Sequence, residues 1–320
     1  MARPVTGSGR AGPARSVGQL YSASTTPSAT LRASCSSCPP SVSWPAASRP
    51  LPSRPCGAVS SWTRSPPRPS FPHPEYDATE PPAAPVPPPP PGDMVTRTFV
   101  FGPGDVAAIK ARLPPHLPDT ATTFEAVAAA LWRARTAAME VPPGEDARLV
   151  VVVGVRGVRE LGLPAGYYGN ACVFPAAVAA AGALRQGSLG DAVELVRAVK
   201  KKAAVSAEYV RSTADLLVRR GRPRLARREN LLILSDNRHA GYLGVDVGWG
   251  EPVYAGPSDA RFGVSFLVAV RNAVAVPVML PRPAMDRFVS EMNTLLQGEF
   301  GLTVLTPCAA RSGAMPTSDR

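Results

Sequence analysis

The chemistry available to this chain rests on three histidines, five cysteines and a few acids set apart from its clusters of basic residues. His73-Pro74-Glu75-Tyr76-Asp77 places an imidazole and a carboxylate four positions apart, residue types that can serve general acid–base chemistry when they are held in place. The surroundings are proline-rich, and a linker without regular structure cannot hold an imidazole to the tolerance of proton transfer, so His73 and Asp77 are expected to imitate a catalytic pair. His116 falls in Leu113-Pro114-Pro115-His116-Leu117-Pro118, an exposed turn, and His239 follows Ser235-Asp236-Asn237-Arg238. Cys35-Ser36-Ser37-Cys38 has the spacing of a redox or zinc pair, but no second pair or nearby histidine completes a tetrahedral site. With Cys56, Cys172 and Cys308 scattered, the set points to a reducing compartment and no metal.

Asp246 is the only acid between Asp236 and Glu251, and it precedes Gly248-Trp249-Gly250. Glycines on both sides of an indole let the backbone bend tightly while the ring is pinned. A carboxylate beside such an apolar turn needs a basic partner or several backbone donors, because an unpaired buried carboxylate is costly. The stretch therefore reads as structural.

Extended through Glu251-Pro252-Val253-Tyr254-Ala255-Gly256-Pro257, that turn closely resembles the Asp-Phe-Gly-Trp-Gly motif of plant BAHD acyltransferases, with Val247 in place of phenylalanine. Leu163-Pro164-Ala165-Gly166-Tyr167-Tyr168-Gly169-Asn170-Ala171 resembles the Tyr-Gly-Asn segment of the same family. The resemblance implies a structural ion pair between Asp246 and Arg156, with Gly248, Trp249 and Gly250 as the rest of that motif. It also implies coenzyme A contacts at Ser235, Arg238 and His239, the last standing where the family usually has arginine. The family's catalytic His-x-x-x-Asp continues into glycine, whereas Ala78 follows Asp77 here. The stretch from His73 is closer to a His-x-Glu-Tyr-Asp segment in the crossover linker of benzoyl-transferring members.

The resemblance spans about residues 65 to 307, so it implies one lobe of the chloramphenicol-acetyltransferase-like α/β fold, with the first lobe largely missing. The implied activity is transfer of an acyl group such as benzoyl or acetyl from acyl-CoA, a co-substrate rather than a bound cofactor, to a small alcohol. Weak or no activity is expected of the chain as written; the alternatives are a non-catalytic pseudoenzyme or aberrant gene product, and a basic anion-binding module.

Periodicity supplies the elements. Thr96 to Phe101 alternates as a strand, and Asp105 is placed to cap a helix carrying Val106, Ile109 and Leu113. Thr122-Thr123-Phe124-Glu125 is a capping box opening a helix striped by Phe124, Val127, Leu131 and Trp132. The run Leu149-Val150-Val151-Val152-Val153 predicts a strand buried on both faces. Helices are expected from a Ser188 or Asp191 cap through Val199, and from Ala207 to Val218 with Gly221 as C-cap. A strand over 230–235 and a hairpin of strands meeting at Arg271-Asn272 come next. Pro283 then opens a helix with Met285, Phe288, Val289, Met292 and Leu296 on one face.

Composition divides the chain into residues 1–64, 65–93, 94–307 and a frayed tail at 308–320. Residues 1 to 74 contain eight arginines and no acid, which fits either a transit peptide or a reading-frame artefact, and no folded domain is expected before the linker. Residues 65–93 read as an extended, exposed proline-rich connector. The cytoplasm is the expected location, or the plastid if the first segment is a transit peptide. The net charge of +11 includes Lys200-Lys201-Lys202 and the arginines of 219–228, read as solvated helix ends rather than a nucleic-acid surface. No stretch is apolar enough to imply a membrane span.

Overall fold

The computed structural model describes residues 62–73, 76, 93–164, 167, 170–204, 206–221, 229–245, 248, 250, 252, 254–257, 259–296 and 303–305. Expectations for residues 1–61, the Pro87–Pro91 run, the Arg222–Arg228 run and the tail lie outside these residues.

The strands are β1 (Met94–Phe101), β2 (Asp146–Gly154), β3 (Cys172–Val173), β4 (Ala176–Ala180), β5 (Leu231–Asp236), β6 (Val264–Val270), β7 (Ala273–Pro281) and β8 (Thr303–Leu305). They form one mixed sheet in the order β3-β2-β5-β6-β7-β1-β8, with β4 also paired to β2. The β2·β5 and β5·β6 pairs are parallel and the others antiparallel. The helices are α1 (Pro103–Ala111), α2 (Thr123–Ala138), α3 (Ala181–Gln186), α4 (Leu189–Ala204), α5 (Ala207–Arg220) and α6 (Arg282–Leu296).

Local chemistry sets the helix starts. Thr122 Oγ1 accepts the Glu125 N–H at 3.2 Å and the Glu125 carboxylate accepts the Thr122 N–H at 3.0 Å, the reciprocal box expected at α2. Ser188 and Asp191 share the start of α4 in the same way, at 3.1 and 2.9 Å. Asp105 is not the cap of α1: Gly102 holds that position and the Asp105 carboxylate accepts its N–H at 2.8 Å from one turn inside the helix. Glu125 is also gripped by Lys200 at 2.9 Å and Arg197 at 3.6 Å. Burial works to raise its pKa, but the Thr122 N–H, Lys200 and Arg197 outweigh burial and hold it below the usual glutamate value.

Alternation on the central strands explains their all-apolar sequence. Leu149, Val151, Leu232, Leu234 and Leu267 join the core beneath the helices, where Trp132, Phe99 and Phe288 are packed. Val150, Leu231, Ile233, Phe266 and Val268 form a second cluster with the opposite parity. The segment Ala176–Ala180 was given no element by its sequence, since alanine favours helix; pairing with β2 makes it a strand.

Candidate functional site

The carboxyl ends of β2, β5 and β6 face one edge of the sheet, where Phe101 at the end of β1 pairs with Val274 at the start of β7. In α/β sheets this edge is where ligands are received, because loops and helix starts converge there. A cleft of about 560 Å³ opens at it, lined by Lys110, Thr123, Arg238, His239, Arg271 and Asn272 over an apolar floor that includes Phe101, Val106 and Val274.

No carboxylate lines the cleft among the described residues. The Arg238 guanidinium is held as a fork by Asp236, with Nε donating at 2.8 Å and a terminal nitrogen at 2.7 Å, while the Arg238 N–H donates to the same carboxylate at 3.2 Å. Arg271 sits at φ 31° in the two-residue turn of the β6–β7 hairpin, so that turn sets where its side chain begins. Lys110 projects from α1, and with Arg271 it puts positive charge on one concavity beside the Asp236-paired Arg238. An anion with several oxygens, such as a phosphate, is the chemical match.

Of the three coenzyme A contacts implied by resemblance, Arg238 and His239 line this cleft. Ser235 does not: it is 8 % exposed and its hydroxyl donates to Asn237 Oδ1 at 2.8 Å. Lys110 and Arg271 were not singled out from the sequence. An isolated lysine and a hairpin arginine carry no local signal, and only the sheet brings them to Arg238.

Arg156 follows β2 at the same edge. It donates to the Tyr167 carbonyl at 3.1 Å, and its guanidinium carbon lies 5.6 Å from the Tyr167 ring centre. Asp246 and Trp249 lie outside the described residues, so the Arg156–Asp246 pair stays an expectation. Gly248 and Gly250 are described, at φ 93° and 94°, a backbone region that side chains rarely adopt, which is the reason for glycine on both sides of the tryptophan. Nearby Cys172 is pushed up to about 11 by burial, only partly offset by Arg156, so its thiol is a poor nucleophile at neutral pH.

The segment expected to be an exposed connector is, over residues 62–73, docked on α5. Trp62 is 5 % and His73 4 % exposed. Four prolines in this segment donate no backbone hydrogen bond and favour an extended course. Four of the N–H groups that remain find acceptors on one face of α5. Asp215 accepts the N–H of Arg64 at 2.8 Å and of Arg68 at 3.0 Å, while the Ser212 hydroxyl accepts those of Ser70 at 2.9 Å and Phe71 at 3.0 Å. Glu208 completes the row, meeting the Arg64 guanidinium at 2.5 Å and the Ser70 hydroxyl at 2.5 Å. His73 is therefore not in an unstructured linker as expected: it is buried and has defined contacts. It meets Ser212, 2.8 Å from Nε2, and packs against Tyr209, beside a cavity of about 350 Å³ that Arg219 and Arg220 also line. Asp77 lies outside the described residues, and His116 is exposed.

These features agree with comparisons to known proteins. Residues 46–295 match the family model described as the Transferase family. The chain is 44% identical over 210 residues to alcohol acyl transferase 2 of Malus domestica, covering 64% of this chain and 45% of that protein. It is 42% identical over 217 residues to benzyl alcohol O-benzoyltransferase of Petunia hybrida, covering 65% and 46%. The chain thus spans about half the length of these curated relatives. Among solved structures, TRI101 of F. graminearum complexed with ethyl coenzyme A shares the fold at a TM-score of 0.52 and 16% identity, over 61% of this chain and 47% of that one. Vinorine synthase does so at 0.50 and 17%, over 63% and 48%. On the extent of the family match, the chain belongs to the transferase family of BAHD-type acyltransferases.

Proposed function

We propose that this chain binds an acyl-CoA through the basic cleft at the carboxyl edge of its sheet and serves acyl transfer to a small alcohol. The observation that carries this reading is the convergence of Lys110, Arg238, His239 and Arg271 on one cleft in a member of this family. The phosphates of coenzyme A supply several negative charges to such a cluster, and the apolar floor suits the rest of the carrier. In the transfer itself the alcohol oxygen attacks the thioester carbonyl, its proton passes to a base, and the carbon–sulfur bond breaks to release the thiol. Coenzyme A is thus a co-substrate. Its terminal phosphates meet Lys110 and Arg271, with Arg238, whose Nε and one terminal nitrogen are engaged by Asp236, offering the N–H groups that remain.

Calorimetric titration of the purified chain with coenzyme A tests the reading. Binding is expected to weaken as salt rises and on removal of the 3′-phosphate. Absence of binding at low salt defeats it. A second reading, a lobe that binds donor without transferring the acyl group, is favoured by the burial of His73 and the commitment of its Nε2 to Ser212. Turnover of benzoyl-CoA with benzyl alcohol separates the two. Turnover that His73→Ala abolishes would return His73 to a catalytic role; turnover that survives it would place the base elsewhere.

A further inference from the structure

At the carboxyl edge of the sheet one buried donor, Nδ2 of Asn237, has no acceptor among the described residues. Asn237 directly follows β5, and its backbone N–H donates to the Leu267 carbonyl at 2.8 Å, so the β5–β6 ladder holds its main chain. The residue is 7 % exposed, and the Ser235 hydroxyl donates to its Oδ1 at 2.8 Å, which fixes the way the amide faces. A buried amide N–H without an acceptor is costly and calls for an explanation. The indole N–H groups of Trp62 and Trp132 share that state, but those rings lie inside apolar clusters. Asn237 stands where an α/β sheet receives its ligands.

Alternation along β5 shows which face it serves. Leu232 and Leu234 enter the core beneath the helices, and Arg238, of the same parity, lines the basic cleft. Leu231 and Ile233 belong to the apolar cluster on the opposite face, with Val264, Phe266 and Val268 of β6, and Ser235 and Asn237 continue that row. Neighbouring residues thus equip two faces of one edge. Arg238 brings a charge to the first, and Asn237 brings an uncharged donor in apolar surroundings to the second.

We propose that Asn237 is a catalytic residue of acyl transfer, its Nδ2 donating to the carbonyl oxygen of the acyl thioester, with Ser235 as its positioning residue. The inference rests on the reading of the basic cleft as the coenzyme A site. As the alcohol oxygen adds to the carbonyl carbon, the carbonyl π pair moves onto oxygen; it returns as the carbon–sulfur bond breaks and sulfur leaves with the bonding pair. Asn237 gains and loses no proton. Its N–H faces the oxygen while that oxygen carries the charge, and a donor fixed in advance in weakly polar surroundings needs no reorganisation to stabilise it. The hydrogen bond from Ser235 to Oδ1 polarises the amide so that Nδ2–H donates more strongly. Free coenzyme A has no acyl carbonyl, so Asn237 separates the acylated carrier from the spent one.

Isotope-edited infrared spectroscopy of benzoyl-CoA labelled with ¹³C at the thioester carbonyl, bound to the full chain, tests this. The carbonyl stretch is expected to move to lower frequency on binding, and Asn237→Ala to abolish that shift while affinity for coenzyme A itself stays within about twofold. Where turnover is measured, the variant is expected to lose about a hundredfold in kcat with KM little changed. Failure of coenzyme A to bind the unaltered chain overturns the cleft reading and this inference with it. Binding with an unshifted carbonyl, or with a shift that Asn237→Ala preserves, overturns the role of Asn237 alone. Should that variant fail to fold, the side-chain amide ¹⁵N–¹H signals of Asn237 in the unaltered chain decide: displacement by benzoyl-CoA beyond that caused by coenzyme A supports the proposal, and equal displacement by both overturns it.

Discussion

His73 and His239 occupy opposite kinds of surroundings. Around His73 the polar groups are buried and already engaged: Asp215 and Ser212 are 0 % exposed and accept the backbone N–H groups of Arg64, Arg68, Ser70 and Phe71. Around His239 the cations Lys110 and Arg271 make no ion pair among the described residues and face open solvent in a cleft. The buried set stabilises a docked segment; the open set holds charge ready for something else. A histidine at a suggestive spacing can belong to either, and what separates them is whether its neighbours are already satisfied.

The sharpest way to break this contrast is on the buried side. Asp215→Ala removes the acceptor of the Arg64 and Arg68 N–H groups and one partner of the Arg64 guanidinium. Leaving such donors unpaired costs on the order of 3 kcal/mol. Urea unfolding should register that loss, and trypsin should cut faster after Arg64. An unchanged cleavage rate would mean that the segment is held by its apolar contacts alone.

Glu125 offers an intermediate case, a buried anion facing Lys200 and Arg197. Glu125→Gln should lower stability at pH 7 by about 1.5 kcal/mol. Because its folded pKa lies below the ordinary 4.5, its contribution is present above that value and is lost as pH falls through the folded pKa. The gap in melting temperature between the two proteins should therefore narrow toward pH 3. A gap that stays constant would show that the carboxylate acts by shape rather than charge.

On the open side, Lys110→Ala and Arg271→Ala should each leave the melting temperature within a degree or two. Each should weaken coenzyme A binding by about fivefold, or about 1 kcal/mol, with a smaller salt dependence. A large loss of stability from either would erase the distinction between a cluster that holds the fold and one that awaits a ligand.

Local features settled much of the molecule in advance. The Thr122–Glu125 box, the apolar runs of β2 and β5 and the Arg271-Asn272 hairpin appear where the sequence places them, because caps and side-chain periods act over a few residues. Family membership was legible in the Gly248-Trp249-Gly250 and Tyr167-to-Asn170 stretches for the same reason: their residue order is their signal. Three things were decided only by the tertiary structure. Ala176–Ala180 became a strand because β2 offered it partners. Lys110 and Arg271 joined Arg238 because antiparallel pairing brings the end of β1 to the start of β7. Residues 62–73 left solvent because Glu208, Ser212 and Asp215, at helical spacing on α5, supply the acceptors that a proline-rich segment cannot find in itself. Those polar positions were visible in the sequence, but a helix face of acceptors has no meaning until the donors that need it are folded against it.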